Sequence, residues 1–346
     1  MTGRQRYPLV SAIITTLNRP QLVMRAIQSV RDQSYTNLEL IVVVDGPDAA
    51  TVAQLSMLSE PRLRIVALPE NVGLGEARNV GVRHSQGEWI AFLDDDDEWY
   101  PEKIMMQLGA VPDDRYEVNF VASRFEERSM HDVRIRPKAF PAPGEHWSES
   151  FYCSAVLLLP STFLVRRSLM VNFPFKRGMR RHEDADWLLR GQAAGVIRPR
   201  WVETALTVYH CEGTEHRLST QAEWRGRYQW YLENPTLLTS KAVPYYIGMI
   251  CIPEAKRSPS PIRSCSFLLK EAIAHGRLTP HSLAYLAMAT ATSRNLRGKL
   301  RKYRPLLNKG KSWHGKGPLS NAPSSTLSCV APARLQVNEE SDAHDP

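Results

Sequence analysis

The run Asp94-Asp95-Asp96-Asp97-Glu98 sets five acids side by side, directly after the apolar stretch Trp89-Ile90-Ala91-Phe92-Leu93. Adjacent carboxylates repel, so something cationic has to offset that cost. Hard divalent cations such as Mg²⁺ and Mn²⁺ take carboxylate oxygens and keep coordination positions open for phosphate oxygens. An Asp-x-Asp at a strand end can therefore hold a metal that bridges a nucleotide diphosphate and neutralises it as a leaving group. One Asp could instead bind a ribose hydroxyl, and another could cap the following helix. The bland alternative is a solvated acidic loop.

Elements of alternating type must position this run. Residues 9–14, 38–44, 63–67 and 88–93 are short β-branched or apolar runs and read as strands. Between them, helical spacing is expected over 20–33, 49–58 and about 74–84, the first opened by Pro20 and the last by the turn Asn71-Val72-Gly73-Leu74-Gly75. Such alternation implies an α/β fold, a Rossmann-like, mostly parallel sheet with helices on both faces. Ligands of such sheets bind beyond the carboxyl ends of the strands, which places Thr15-Thr16, Asp45 and the acidic run on one rim. Further on the alternation weakens: strands are expected at 118–123, 155–159, 162–166 and 204–209, and a helix at 184–194. Two amphipathic helices follow, at 262–275 and 281–293.

Composition sets the frame. A chain of 346 residues, 43% hydrophobic and 23% charged, can bury a core of one large domain plus an extension. The net charge of +8 favours anionic partners without choosing among them. Five scattered cysteines with no CxxC pair argue against a disulfide framework or a zinc site and fit a reducing compartment. The opening Met-Thr-Gly-Arg-Gln-Arg-Tyr-Pro lacks an apolar leader, and no stretch approaches the ~20 apolar residues that span a bilayer. A cytoplasmic protein, peripheral at most on the inner face of the membrane, is expected.

Taken together in order, five segments resemble the family 2 glycosyltransferases of the GT-A fold. They are Ile13-Ile14-Thr15-Thr16-Leu17-Asn18-Arg19-Pro20, Glu39-Leu40-Ile41-Val42-Val43-Val44-Asp45-Gly46, Asn71-Val72-Gly73 with Ala77-Arg78-Asn79-Val80-Gly81, Gly87 to Asp97 with Pro101, and His182-Glu183-Asp184-Ala185-Asp186-Trp187. The resemblance covers about residues 8–215. It implies an inverting, non-processive transfer of a sugar from a nucleotide-sugar, by default UDP-linked, to an acceptor hydroxyl, with Mn²⁺ or Mg²⁺ as cofactor. It further implies donor contacts at Thr16, Asn18, Arg19, Asp45, Arg78 and Asp95, and metal ligands at Asp94 and Asp96, with Asp97 beside them. His210 corresponds to a His near the diphosphate or metal in some relatives, and His216 is a weaker candidate. Asp184 resembles the catalytic base, with Asp186 as competitor; neighbouring carboxylates would raise its pKa, which suits a base. Acids at a helix N-terminus, stabilised by its dipole, would look the same. The domains implied are a catalytic unit at 1–215, with a nucleotide-sugar half (1–115) and an acceptor half (116–215), a helical C-terminal extension at 216–307, and a disordered tail at 308–346.

There are departures. Gln221-Ala222-Glu223-Trp224-Arg225 only approximates the Gln-x-x-Arg-Trp of processive synthases, and Pro47 stands where Ser is commoner after Asp-Gly. Residues 294–311 interleave Lys and Arg with Leu296, Leu300, Tyr303, Leu306 and Leu307, a pattern that can rest on an anionic membrane and would suit a lipid-linked glycan acceptor. No nucleic-acid module accompanies the charge. Two competing readings stand: a metal-dependent hydrolase or phosphoryl-transfer enzyme, and a non-catalytic nucleotide-sugar-binding module. A glycosidase would need two carboxyls flanking a sugar bond. A phosphatase with an Asp nucleophile is disfavoured because the first strand leads into Thr15-Thr16 and not into Asp.

Overall fold

The computed structural model describes residues 7–112, 117–130, 132–179, 181–211 and 224–291. The expected basic segment at 294–311, the tail at 308–346, His216 and Gln221 to Glu223 lie outside them.

Nine strands form one sheet: β1 (Val10–Thr16), β2 (Leu38–Val44), β3 (Leu63–Ala67), β4 (Trp89–Asp94), β5 (Asp97–Trp99), β6 (Phe120–Ser129), β7 (Asp132–Arg136), β8 (Phe163–Arg166) and β9 (Pro199–His210). The order is β3-β2-β1-β4-β8-β6-β9-β5, with β7 paired to β6. The four strands expected from the first ninety-odd residues run parallel, as the alternation requires. Side chains of β1, β2 and β4 split by strand period onto two faces. Ile13, Ile41, Val43, Ile90 and Phe92 face the helix Leu74–His84 through Ala77 and Val80. Ala12, Ile14, Val42, Val44 and Leu93 face the helix Pro20–Arg31 through Val23, Ala26, Ile27 and Val30. Gly81 lets the helix Leu74–His84 approach the sheet closely: a Cβ there would lie 2.5 Å from Ile13 Cγ2.

Beyond β4 the pairing turns mixed. β8 is antiparallel to both β4 and β6, β6 is parallel to β9, and β9 is antiparallel to β5. The strand expected at 155–159 is not formed. Ala155 has φ 52°, and Pro160 opens a 3-10 turn at Pro160–Thr162, so this apolar run is broken at both ends and has no ladder partner. Two short strands, β5 and β7, were not expected, because each is only a few residues long and carries charges.

C-terminal helices Trp224–Glu233, Val243–Tyr246, Ile252–Ala255, Pro261–His275 and Pro280–Thr290 pack on the Leu74–His84 side of the sheet. Pro244 does not break the apolar segment around it. It sits in the first turn of a helix, where its missing N–H costs nothing, and helical turns continue to Ala255. Trp187, Tyr231, Tyr246, Ile252 and Leu268 belong to the same apolar cluster as Phe92 and Phe120. No described helix is long and apolar enough to cross a membrane. Among the described residues no two cysteines are joined by a disulfide.

Candidate active site

The parallel register brings the functional strand ends level. Thr15 lies opposite Asp94 and Thr16 opposite Val44, the residue before Asp45. Thr16, Asp45 and the acidic loop thus share one rim.

Asp95 is gripped from both sides. Thr16 Oγ1 donates to it at 2.7 Å and Arg19 Nη1 at 3.0 Å. Burial pushes its pKa up to about 6, against the opposing pull of Arg19 and Thr16. Arg19 also reaches Asp96 Oδ2 at 3.4 Å, and Arg25 donates to the Asp96 carbonyl at 2.7 Å. Asn18 takes a positive φ of 55°, and its backbone N–H donates to Asp48, the N-cap of the helix Ala49–Ser56. Two residues named for donor contact, Thr16 and Arg19, therefore converge on a third, Asp95.

Asp45 holds the turn opposite it. Its carboxylate accepts from Val72 N–H at 2.8 Å, Gly73 N–H at 3.1 Å and Asn71 Nδ2 at 3.2 Å. Gly73 has φ 88°, which favours glycine. Burial raises the Asp45 pKa, and the two amide bonds pull it back in part.

Asp94, Asp96 and Asp97 differ in outlook. Asp94 and Asp96 have side chains 27% and 23% exposed. Asp97 is turned inward, 1% exposed, and accepts from Ser161 Oγ at 2.6 Å, while Ser161 Oγ also receives the Asp94 N–H. Ser161 thereby fixes the acidic loop against the start of β8. His210 Nε2 lies 2.6 Å from Glu98 Oε1, which ties the end of β9 to the acidic run. That bond engages Nε2, so a metal-binding role for His210 would fall to Nδ1. Among the described residues no three His, Cys, Asp or Glu side chains converge as a ready metal cage. The donor set of Asp94 and Asp96 still fits a hard cation: two part-exposed carboxylates on one loop, whose charge the protein itself meets with Arg78 and Arg19.

Arg78 joins this loop to the second acidic motif. It is 2% exposed and forks between Asp94 Oδ1 at 2.6 Å and Glu183 Oε1 at 2.9 Å. Burial alone would lower the Arg78 pKa, but Asp94 and Glu183 more than reverse this. The rest of the motif is structural. Asn79 exchanges hydrogen bonds with both backbone groups of Phe175, and Gly81 meets β1.

Glu183, Asp184 and Asp186 open the helix Glu183–Ala193. Burial pushes Glu183 up to about 7 despite Arg78, and burial likewise raises Asp184. Asp184 Oδ1 accepts the local N–H of Ala185 at 2.7 Å. Asp186 is fully buried and committed to packing: Trp230 Nε1 donates to it at 2.9 Å and Arg190 Nε at 2.6 Å. Of the two competitors for the base, Asp184 is the one with a carboxylate left for chemistry.

A supporting shell surrounds this helix. His182 takes φ 70°, lies 2.7 Å from the Tyr152 hydroxyl through Nε2 and accepts from Arg227 through Nδ1 at 3.2 Å. Its ring stacks on Trp230 with centroids 5.1 Å apart. Burial, then Arg227, lowers its pKa to about 3, so it is neutral at ordinary pH. Tyr152 and Arg227 come from segments with no local signature; only the tertiary fold places them here.

The parallel half-sheet, the turn held by Asp45 and the acidic loop at the end of β4 define a GT-A fold. The Staphylococcus aureus protein TarS, residues 1–349, in its complex with UDP-GlcNAc, has the same fold: TM-score 0.51 at 15% identity, covering 87% of this chain and 88% of TarS 1–349. Residues 11–175 match the family model "Glycosyl transferase family 2", and this part of the chain belongs to that family. The chain is 36% identical over 103 residues to the succinoglycan biosynthesis protein ExoO of Rhizobium meliloti, covering 30% of each chain. It is 39% identical over 103 residues to WcaA of Escherichia coli, named for colanic acid biosynthesis glycosyl transfer, covering 29% of this chain and 37% of WcaA. The match thus spans about a third of the length of these relatives.

Proposed function

We propose that this protein transfers a sugar from a nucleotide-sugar, UDP-linked, to an acceptor hydroxyl with inversion, in the synthesis of a cell-surface polysaccharide. The observation that carries the reading is the Arg78 fork between Asp94 and Glu183, which ties the acidic loop to the helix that bears Asp184. Relatives named for succinoglycan and colanic acid synthesis support the glycan class, and the TarS complex with UDP-GlcNAc supports a uridine donor.

In this reading Thr16, Arg19 and Asp95 form the nucleoside side of the donor site, and Asp45 shapes it by holding the turn 71–73. Asp94 and Asp96 would hold Mn²⁺ or Mg²⁺, which supplies positive charge for the leaving diphosphate. Asp184 takes the proton from the acceptor hydroxyl as its oxygen attacks the anomeric carbon. Its burial beside Glu183 raises its proton affinity, which strengthens it as a base once ionised. The work of Arg78 is to keep the acidic loop and the helix N-terminus at fixed separation. A cytoplasmic site is where nucleotide-sugars are at hand, and the scattered cysteines with no CxxC pair fit a reducing compartment.

The test is transfer of radiolabelled sugar from UDP-sugars to membrane and polysaccharide fractions, with UDP binding measured in parallel. Asp184→Asn should lose transfer by about 10²–10⁴-fold while binding UDP as before. Full transfer by that variant would remove Asp184 as base. Folded protein that binds no nucleotide would point to the hydrolase reading.

A further inference from the structure

A cavity of about 340 Å³ opens next to the helix that bears Asp184, and its walls are cationic. Lys176, Arg177, Arg181 and Arg227 line it, and Glu233 is the one carboxylate among its described lining residues. Arg181 and Arg227 are not loose surface groups. Glu254, which does not line the cavity, holds Arg227 at 2.7 Å and Arg181 at 3.6 Å, and it is 8% exposed. Arg227 is further fixed by His182, and Trp230 stacks on His182 to form a stiff wall. Lys176 and Arg177 are the more open pair, with side chains 47% and 76% exposed, and reach Glu233 at 3.9 Å and Glu76 at 3.1 Å.

The cavity is distinct from the donor rim. Thr16, Arg19, Asp45, Asp94, Asp95 and Asp96 line none of it. Its link to the chemistry is His182, a lining residue two positions before Asp184. A site lined by four cations and one acid, two of the cations guanidiniums held in place by Glu254, suits a phosphate group, which accepts charged N–H donors. On the base side of the reaction the molecule to be seated is the acceptor.

We propose that this cavity binds a phosphate group carried by the acceptor, and so selects acceptors that are phosphate esters. This rests on the glycosyltransferase reading above. The phosphate could belong to a lipid diphosphate headgroup or to a phosphodiester within a glycan chain, and the chemistry at the cavity is shared.

The test is calorimetric titration of the full chain, saturated with UDP and Mn²⁺ so that the donor site is filled. Geranyl diphosphate and bis-glycerol phosphate serve as probes for the two sources. Binding of the first alone assigns a lipid headgroup, and binding of the second a phosphodiester. The double variant Lys176→Gln/Arg177→Gln, at exposed positions outside the donor site, should weaken the bound probe about tenfold and leave UDP affinity unchanged. Gln229→Glu, which adds a negative charge to an exposed lining position, should weaken it as well. Absence of binding by both probes, or equal binding by wild type and both variants, overturns the proposal. Failure of UDP itself to bind would instead strike the donor reading, so the two failures are told apart.

Discussion

Asp184 and Asp186 stand on the same helical turn and have opposite duties. Asp186 spends both oxygens on Trp230 and Arg190 in a fully buried setting. Asp186→Asn keeps the shape but loses the charge that those donors face. It should destabilise the fold by about 1–3 kcal/mol in denaturant titration, with UDP affinity retained. Asp184→Asn should leave the denaturation midpoint nearly unchanged while transfer is lost. Sequence spacing alone could not choose between the two, because both lie in the first helical turn; the indole N–H that decides it comes from a helix more than forty residues later. Glu183 gives a prediction with a sign. Its folded pKa of about 7 lies above the ordinary 4.5, so folding takes up a proton between those values, and its contribution to stability falls as pH rises through that window. His182, held neutral down to about 3, acts in the opposite sense: its contribution is lost as pH falls from 6.5 towards 3. The difference in thermal midpoint between metal-free wild type and Glu183→Gln should therefore shift in favour of wild type from pH 7 to pH 5. A pH-independent difference would deny the raised pKa.

At the scale of elements, the N-terminal half was legible because local and global signals agree. The buried parallel strands β1 and β2 are mostly apolar and β-branched, and the helices between the parallel strands open at Pro20, at the Asp48 cap and at Gly73. The Ala77-Arg78-Asn79-Val80-Gly81 motif is a stack of separate constraints: Arg78 faces the site, Asn79 ties down Phe175 and Gly81 admits β1. Gly81→Val should cost about 1–3 kcal/mol, read by thermal or urea unfolding, because the added Cβ meets a β1 side chain with sheet on either side. The second half was harder to read. An apolar run at 155–159 carries the composition of a strand but is bounded by a positive φ and a proline turn. β5 forms from the acidic loop itself, since Asp97 to Trp99 pair with β9. Ladder partners so distant in sequence leave no local period to detect.

At the scale of the whole molecule, one apolar cluster runs from the sheet into the C-terminal helices. Tyr246, fully buried, lies against Tyr152, His182, Trp230 and Tyr231, and its hydroxyl donates to the Arg227 carbonyl at 2.8 Å. These helices therefore supply the shell behind Asp184. Tyr246→Ala should cost about 3–5 kcal/mol and lower transfer more than it lowers UDP affinity. Far-ultraviolet dichroism and tryptophan fluorescence should report one shared unfolding transition, since Trp187 and Trp230 sit in the common cluster. We propose that the rim formed by Thr16, Arg19, Asp45 and the acidic loop is a metal-assisted donor site. Calorimetric titration of wild type and Asp96→Ala with UDP, with and without Mn²⁺, tests it most directly. The expected result is Mn²⁺-dependent binding that weakens on the order of tenfold or more in the variant. Binding of equal strength in both proteins, or no binding by folded wild type, would contradict it.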